Sequence, residues 1–162
     1  MPLTRGYGIR ARLLRCAGVD CAQSARIVAS ARILLTSVSI GKDTFIGHQV
    51  LISGSEAARV TIGNHVDIAP RVVILNGTHG LDMVSPHSAG PGKGAPVTIE
   101  DGVWIGANST VLPGVTIGRK AVIGAGSVVV RDIPAFTVAV GNPCRPVKRW
   151  NSSTTAFESL EG

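Results

Sequence analysis

An aliphatic residue returns every six positions through most of this chain. Cys21, Ile27 and Ile33 begin the series, followed by Ile40, Ile46 and Ile52, then Ile62, Ile68 and Ile74. After a gap it resumes at Ile99, Ile105 and Val111, then Ile117, Ile123 and Val129. Twelve of the fourteen isoleucines fall on these fifteen positions. Neither a helix, repeating near 3.6 residues, nor a strand, repeating near 2, produces such a period. A short strand that turns a corner every six residues does, and it puts one aliphatic side chain inside per side. Three such sides close a coil. Successive coils then stack as parallel strands about 4.8 Å apart and bury each coil's aliphatics on those of the next.

The rest of the hexad agrees. The fourth residue after the aliphatic is usually small or β-branched, as at Ala25, Thr44, Val66, Val103, Ser109 and Ser127. Glycine follows the aliphatic at Gly41, Gly47, Gly63, Gly106, Gly118 and Gly124. With 20 glycines and only 4% aromatic residues, the composition fits an aliphatic core broken by tight turns better than a helical bundle. The expected fold is therefore all-β, a parallel β-helix in one domain of 162 residues.

The interruptions carry as much information as the repeat. One extra residue separates Ile33 from Ile40, four separate Ile52 from Ile62, and nineteen separate Ile74 from Ile99. All three follow the third hexad of a coil. Stacked in register, they leave the coils at one corner, where repeat proteins commonly build binding sites. The long one, residues 75–98, is Gly/Pro-rich, far longer than an ordinary connection, and the foremost functional loop.

Three segments follow. Residues 1–20 form an N-terminal cap, in which 3–16 carry four arginines with Leu3, Tyr7, Ile9, Leu13 and Leu14 and predict a short amphipathic helix over the first coil. Peripheral attachment to an anionic membrane surface is the alternative for this segment. Residues 21–131 form the repeat region. Residues 132–162 leave the register; 132–150 would cover the last parallel edge, and 151–162 read as disordered.

The net charge of +6 admits an anionic partner. The basic residues are scattered with little aromatic interleaving, so no nucleic-acid partner is expected. Three cysteines without a CxxC or Cys/His cluster suggest reduced thiols and no metal. No apolar run approaches the roughly 18 residues of a spanning helix, and the expected location is cytoplasmic.

The hexad array, "GTHG" in the long loop, the run "VWIGANSTVLPGVTIG" followed by "VIGAGSVV", and "GNPCRP" near the end closely resemble the hexapeptide-repeat acyltransferases. Within that family they resemble the branch of galactoside, maltose, antibiotic and cell-surface polysaccharide O-acetyltransferases. The resemblance spans roughly residues 20–150. It implies a left-handed β-helix, against the usual right-handed crossover preference. It also implies a homotrimer with acetyl-CoA as acyl donor, bound in a groove between subunits, and a saccharide or other small-molecule acceptor.

Carried over residue by residue, the resemblance makes His79 the general base on the acceptor hydroxyl. A sugar hydroxyl is a poor nucleophile until a base with pKa near the working pH takes its proton. Ala107 and Ala125 are implied pantetheine contacts, with Ala107 standing where relatives often present a hydroxyl. Arg131, Arg145 and Lys148 are implied partners of the CoA phosphates. On the acceptor side it implicates Gln49, Glu56, Asp82 and Trp104, with Asp82 also a candidate to orient His79. His87 is the rival base, and His48 and His65 read as solvent-facing corner residues. Cys144 has no adjacent base and reads as packing.

These residues imply an acetyl-CoA-dependent O-acetyltransferase acting on a sugar hydroxyl in surface polysaccharide or lipopolysaccharide biosynthesis. Two alternatives stay open: an N-acetyltransferase on a nucleotide-linked amino sugar, and a catalytically silent scaffold. A zinc-dependent carbonic anhydrase needs three converging histidines, two usually close in sequence, and the nearest histidine pair here, His79 and His87, stands eight residues apart.

Overall fold

The computed structural model describes residues 6–160. Leu3 of the expected helix lies outside the described residues, as do residues 161–162 of the expected disordered tail. The chain opens with α1 (Tyr7–Cys16) and makes a first coil of β1 (Asp20–Cys21), β2 (Arg26–Ile27) and β3 (Arg32–Ile33). The second coil is β4 (Val38–Ile40), β5 (Phe45–Ile46) and β6 (Leu51–Ser53), and the third is β7 (Val60–Ile62), β8 (Asp67–Ile68) and β9 (Val73–Leu75). A hairpin of β10 (Gly77–Leu81) and β11 (Ala89–Gly94) follows. Then come β12 (Val97–Ile99), β13 (Trp104–Ile105) and β14 (Thr110–Val111), and a fifth coil of β15 (Thr116–Ile117), β16 (Val122–Ile123) and β17 (Val128–Val129). The chain finishes with β18 (Thr137–Val140), β19 (Arg145–Asn151) and β20 (Ala156–Ser159).

The strands visit three sheets in rotation. The first sheet runs β1-β4-β7-β12-β15, the second begins β2-β5-β8-β13-β16, and the third runs β3-β6-β9-β14-β17. All pairings within these series are parallel, and the register puts aliphatic on aliphatic: Cys21 on Ile40, Ile40 on Ile62, Ile62 on Ile99, Ile99 on Ile117. The hexad side chains from all three sheets meet in one core. Only Ile33, in the first coil, is not fully buried. Each buried isoleucine contributes about 1.5–3 kcal/mol.

Two local devices make the corners. At nine corners of the second to fifth coils the third residue after the aliphatic adopts positive φ, either as a non-glycine residue, at Asp43, Gln49, His65, Arg71, Asn108 and Lys120, or as glycine, at Gly102, Gly114 and Gly126. A non-glycine residue there costs about 1 kcal/mol or more, which stacking of the coils must offset. The glycine after the aliphatic answers a different need. A Cβ on Gly106 would stand 2.5 Å from the Ala125 backbone nitrogen of the next coil, so the coils could not approach. Buried hydroxyls tie some of these same corners: Thr44 Oγ1 donates to Gly63 O (2.7 Å), and Ser127 Oγ donates to Gly124 O (2.6 Å).

The ends differ from the middle. Helix α1 terminates in a Schellman arrangement, with Gly18 at φ 94, its N–H on Arg15 O and the Val19 N–H on Leu14 O (both 3.0 Å). It docks on the first coil through buried Ala11 and through Arg10, whose Nη1 donates to Val28 O at 3.0 Å. At the other end, the reading that residues 132–150 leave the register needs correction. Ile133 bridges to Ile117 and Ala139 pairs with Ile123, so two sides of a sixth coil form. The expected disorder of the tail is also overturned for residues 151–160: β19 pairs antiparallel with β18 and β20 with β19. Trp150 and Phe157 meet edge to face at 5.2 Å across that hairpin, supplying the apolar contact a polar composition seemed to lack. Among the described residues no helix is long and apolar enough to cross a membrane.

Ile105 is fully buried in the fourth coil. Ile105→Ala should lower unfolding free energy by about 2–5 kcal/mol and Ile105→Val by about 0.5–1.5 kcal/mol, measured by denaturant titration at fixed protein concentration. Equal effects of the two would contradict a close-packed stack.

Candidate active site

All three insertions leave between the third sheet and the first, and they are fastened to one another. Glu56 accepts hydrogen bonds from the Thr36 N–H (2.8 Å), the Ser37 N–H (3.0 Å) and Thr36 Oγ1 (3.1 Å). The two backbone N–H groups in particular hold its carboxyl below the usual carboxylate range. Asn76, fully buried at the root of the long insertion, ties the second to the third. Its Nδ2 donates to Ser55 O (2.8 Å) and Ala58 O (2.7 Å), while its Oδ1 accepts from the Ser55 N–H (2.8 Å). The Ala95 N–H closes the loop by donating to Asn76 O at 2.8 Å.

From that root rises the β10–β11 hairpin, in which Thr78 faces Lys93 and His79 faces Gly92. Gly54, Ser55, Gly77, Thr78, His79, Gly92 and Lys93 line a cavity of about 410 Å³. His79 Nδ1 lies 2.8 Å from Gly90 O. A carbonyl only accepts, so Nδ1 carries the proton and Nε2 of the neutral ring is the basic nitrogen. Sequence reasoning named His79 but none of Asn76, Ser55, Thr78 and Lys93. One signal was available for Lys93: no other Lys or Arg occurs between Arg71 and Arg119.

The remaining candidates divide among several places. Asp82 is at the hairpin but does not orient His79. Its Oδ1 accepts the Val84 (2.9 Å) and Ser85 (3.0 Å) N–H groups, which depress its pKa, the Ser85 bond foremost. Glu56 stands next to Ser55 with its carboxylate engaged as described. His87, at the exposed hairpin tip, accepts a hydrogen bond through its backbone carbonyl from Ser85 Oγ. Trp104 lies on β13 of the second sheet, 54% exposed. His48 approaches Ser30 Oγ through Nδ1 (3.4 Å), and His65 lies 3.9 Å from Asp43, both at corners. Cys144 is buried, and burial raises its pKa, consistent with packing.

Ala107, Ala125 and Gln49 share the corner between the second and third sheets, away from the insertions. This corner is built differently from its neighbour. Between the first and second sheets, side chains cap the backbone: Asn64 Oδ1 takes the Lys42 N–H (2.8 Å), Asp101 Oδ1 the Asn64 N–H (2.7 Å) and Glu100 Oε2 the Arg119 N–H (2.7 Å). The equivalent N–H groups of Ala107 and Ala125 donate no hydrogen bond among the described residues. Small side chains and open donors one coil apart suit an extended amide-bearing ligand. Arg145, exposed and paired across β18–β19 with Val140, stands at the end of the same corner. Arg131 follows β17 at the insertion corner instead, and Lys148 lies on β19 opposite Val138.

Known proteins resemble the chain in sequence and fold. Residues 96–131 match the hexapeptide repeat of succinyl-transferase. A maltose O-acetyltransferase of Clostridium difficile is 36% identical and superposes with a TM-score of 0.76, over 91% of this chain and 78% of that one. The chain belongs to the hexapeptide-repeat acyltransferases. A second structure of the family, a hexapeptide-repeat acetyltransferase of Vibrio cholerae, is 30% identical, with a TM-score of 0.80 over 93% of this chain and 85% of that one. The galactoside O-acetyltransferase of Escherichia coli is 38% identical over 116 residues, 72% of this chain and 56% of that protein. The chain spans about half the length of the curated relatives it matches.

In this chain the repeat sets the frame and Asn76 ties down the loop. Asn76→Ala should leave the part-buried Ser55 N–H without its partner, worth about 1–3 kcal/mol, and take one of two donors from each of the Ser55 and Ala58 carbonyls, which keep the Ala58 N–H and Ser37 Oγ. Hydrogen exchange in residues 77–94 should accelerate well before that of the five coils. Unchanged exchange there would mean that Asn76 does not anchor the hairpin.

Proposed function

We propose that this protein is an acetyl-CoA-dependent O-acetyltransferase that acts on a sugar hydroxyl by direct transfer, with His79 as general base. The observation that carries the reading is the His79 Nδ1–H bond to Gly90 O at 2.8 Å, beside a cavity that the same residue lines. A fixed tautomer with Nε2 basic is the state a general base needs. The maltose and galactoside acetyltransferases among the relatives support a sugar acceptor, and a structure of the Vibrio cholerae relative complexed with acetyl-CoA supports the donor. A role in surface polysaccharide or lipopolysaccharide biosynthesis, in the cytoplasm, completes the reading.

Acetyl-CoA supplies an activated acyl carbon and a sulfur leaving group. His79 Nε2 accepts the hydroxyl proton as the sugar oxygen bonds to that carbon. The carbon–sulfur bond breaks, and the same nitrogen delivers the proton to sulfur. The open N–H groups of Ala107 and Ala125 fit the amide-bearing arm of the donor, with Arg145 toward its phosphates and Arg131 and Lys148 as further cations. Gln49, Glu56, Asp82 and Trp104 stand as acceptor-side residues, the two carboxylates through the loop geometry they hold.

One chain keeps His79 and the alanines on different corners, which supports a homotrimer in which the hairpin of one subunit meets the alanine corner of its neighbour, and the likeness to hexapeptide-repeat acetyltransferases supports left-handed coils. His79→Ala should retain acetyl-CoA affinity by calorimetry while turnover falls by about 100-fold or more; wild-type turnover removes His79 from the chemistry. Arg145→Ala should weaken acetyl-CoA binding by about 10-fold, the worth of one charge-assisted hydrogen bond. Unchanged affinity takes Arg145 out of the site.

A further inference from the structure

We propose that the cavity beside His79 selects a sugar acceptor bearing one anionic group, a carboxylate or a phosphate, held by the Lys93 ammonium. The inference rests on the acyltransferase reading above and adds the class of acceptor. Lys93 is the one lysine or arginine among the lining residues, and no acidic side chain lines the cavity. The acidic residues nearest in sequence keep their charge but turn it elsewhere than the cavity lining, Glu56 towards the Thr36 and Ser37 N–H groups and Asp82 towards those of Val84 and Ser85. Among the described residues no carboxylate lies within 4.0 Å of Lys93.

The hairpin positions this charge. Lys93 stands opposite Thr78 in the antiparallel ladder, so the two side chains share a face. Gly80, two residues along that face, has no Cβ, and the lysine chain lies over it: a Cβ there would be 3.3 Å from Lys93 Cε and 3.4 Å from Nζ. The ammonium thereby lies against the residue next to His79. Thr78 and Ser55 add hydroxyls suited to a sugar, while Gly54, Gly77 and Gly92 leave room for a ring. A lysine that lines one cavity with Thr78 and Ser55, and with no carboxylate among the lining residues, favours an acceptor that brings the negative charge itself.

The test measures binding of methyl galactoside, its uronic acid and its 6-phosphate to the full chain with coenzyme A present. The wild type should bind at least one charged sugar about 10-fold more tightly than the neutral one, in a salt-sensitive manner. In Lys93→Ala that ratio should fall toward unity, in Lys93→Glu it should invert, and in Lys93→Arg it should persist, which guards against a folding defect. The uronic acid and the phosphate arms identify which anion is preferred. Equal affinities for all three sugars, binding of none, or a ratio unchanged by Lys93→Ala would overturn the proposal. His79→Ala reports separately, because it reads turnover and leaves the charged-to-neutral ratio of affinities in place even if His79 is not the base.

Discussion

Every feature of this molecule answers to the stacking of one coil on the next. Each side donates its backbone N–H groups to carbonyls of the adjacent coil, as Gly41 N–H does to Ile62 O and Gly63 N–H to Ile99 O (both 2.8 Å), while the isoleucines of those coils meet inside. Hydrogen bonding and apolar burial thus demand the same register. A one-residue slip would turn the aliphatics outward and break the corner geometry together. This double requirement explains why a weakly favoured backbone conformation persists at Arg71 or Lys120, and why the side chain is missing at Gly106.

The same stacking dictates where variation can enter. A residue added within a side would shift the register, whereas residues added at a corner can leave the prism without disturbing its layers. The three insertions use one corner, and Glu56 and Asn76 bind them into a column through backbone groups that the coils no longer satisfy. The ends face the opposite problem, since the first and last coils expose unpaired edges. Arginine side chains of α1 reach carbonyls of the first coil, and β18 to β20 turn the last parallel edge into antiparallel pairs.

The frame was legible because the period writes the register directly into the sequence. Where the spacing broke, legibility stopped. Ile133 stands only four positions after Val129, so the spacing of six does not reach the sixth coil, although Ile133 and Ala139 are six apart and both buried. The tail hid its pairing because two aromatics, Trp150 and Phe157, stabilise an otherwise polar hairpin. At the site, His79 was readable from its motif, but what orients it was not. Asp82 was the natural candidate by type and distance along the chain, yet a backbone carbonyl does the work, and a carbonyl has no signature in a sequence. Asn76 was overlooked for a related reason: an asparagine before a glycine reads as a turn residue, and its burial follows only once the insertions are seen to stack.

The choice of a carbonyl has an electrostatic consequence. A carbonyl fixes the histidine tautomer as well as a carboxylate would, through the same Nδ1–H bond, but it brings no net charge to the loop. A carboxylate in that place would stabilise the protonated ring and set a negative charge beside the acceptor. With Asp82 and Glu56 directed at backbone N–H groups, the cavity is lined by a lysine and by no carboxylate. An anionic acceptor then meets attraction from Lys93 without repulsion from the group that orients the base. The repeat provides a rigid column, and the sign of the field at its one variable corner is left to a few side chains in the insertions.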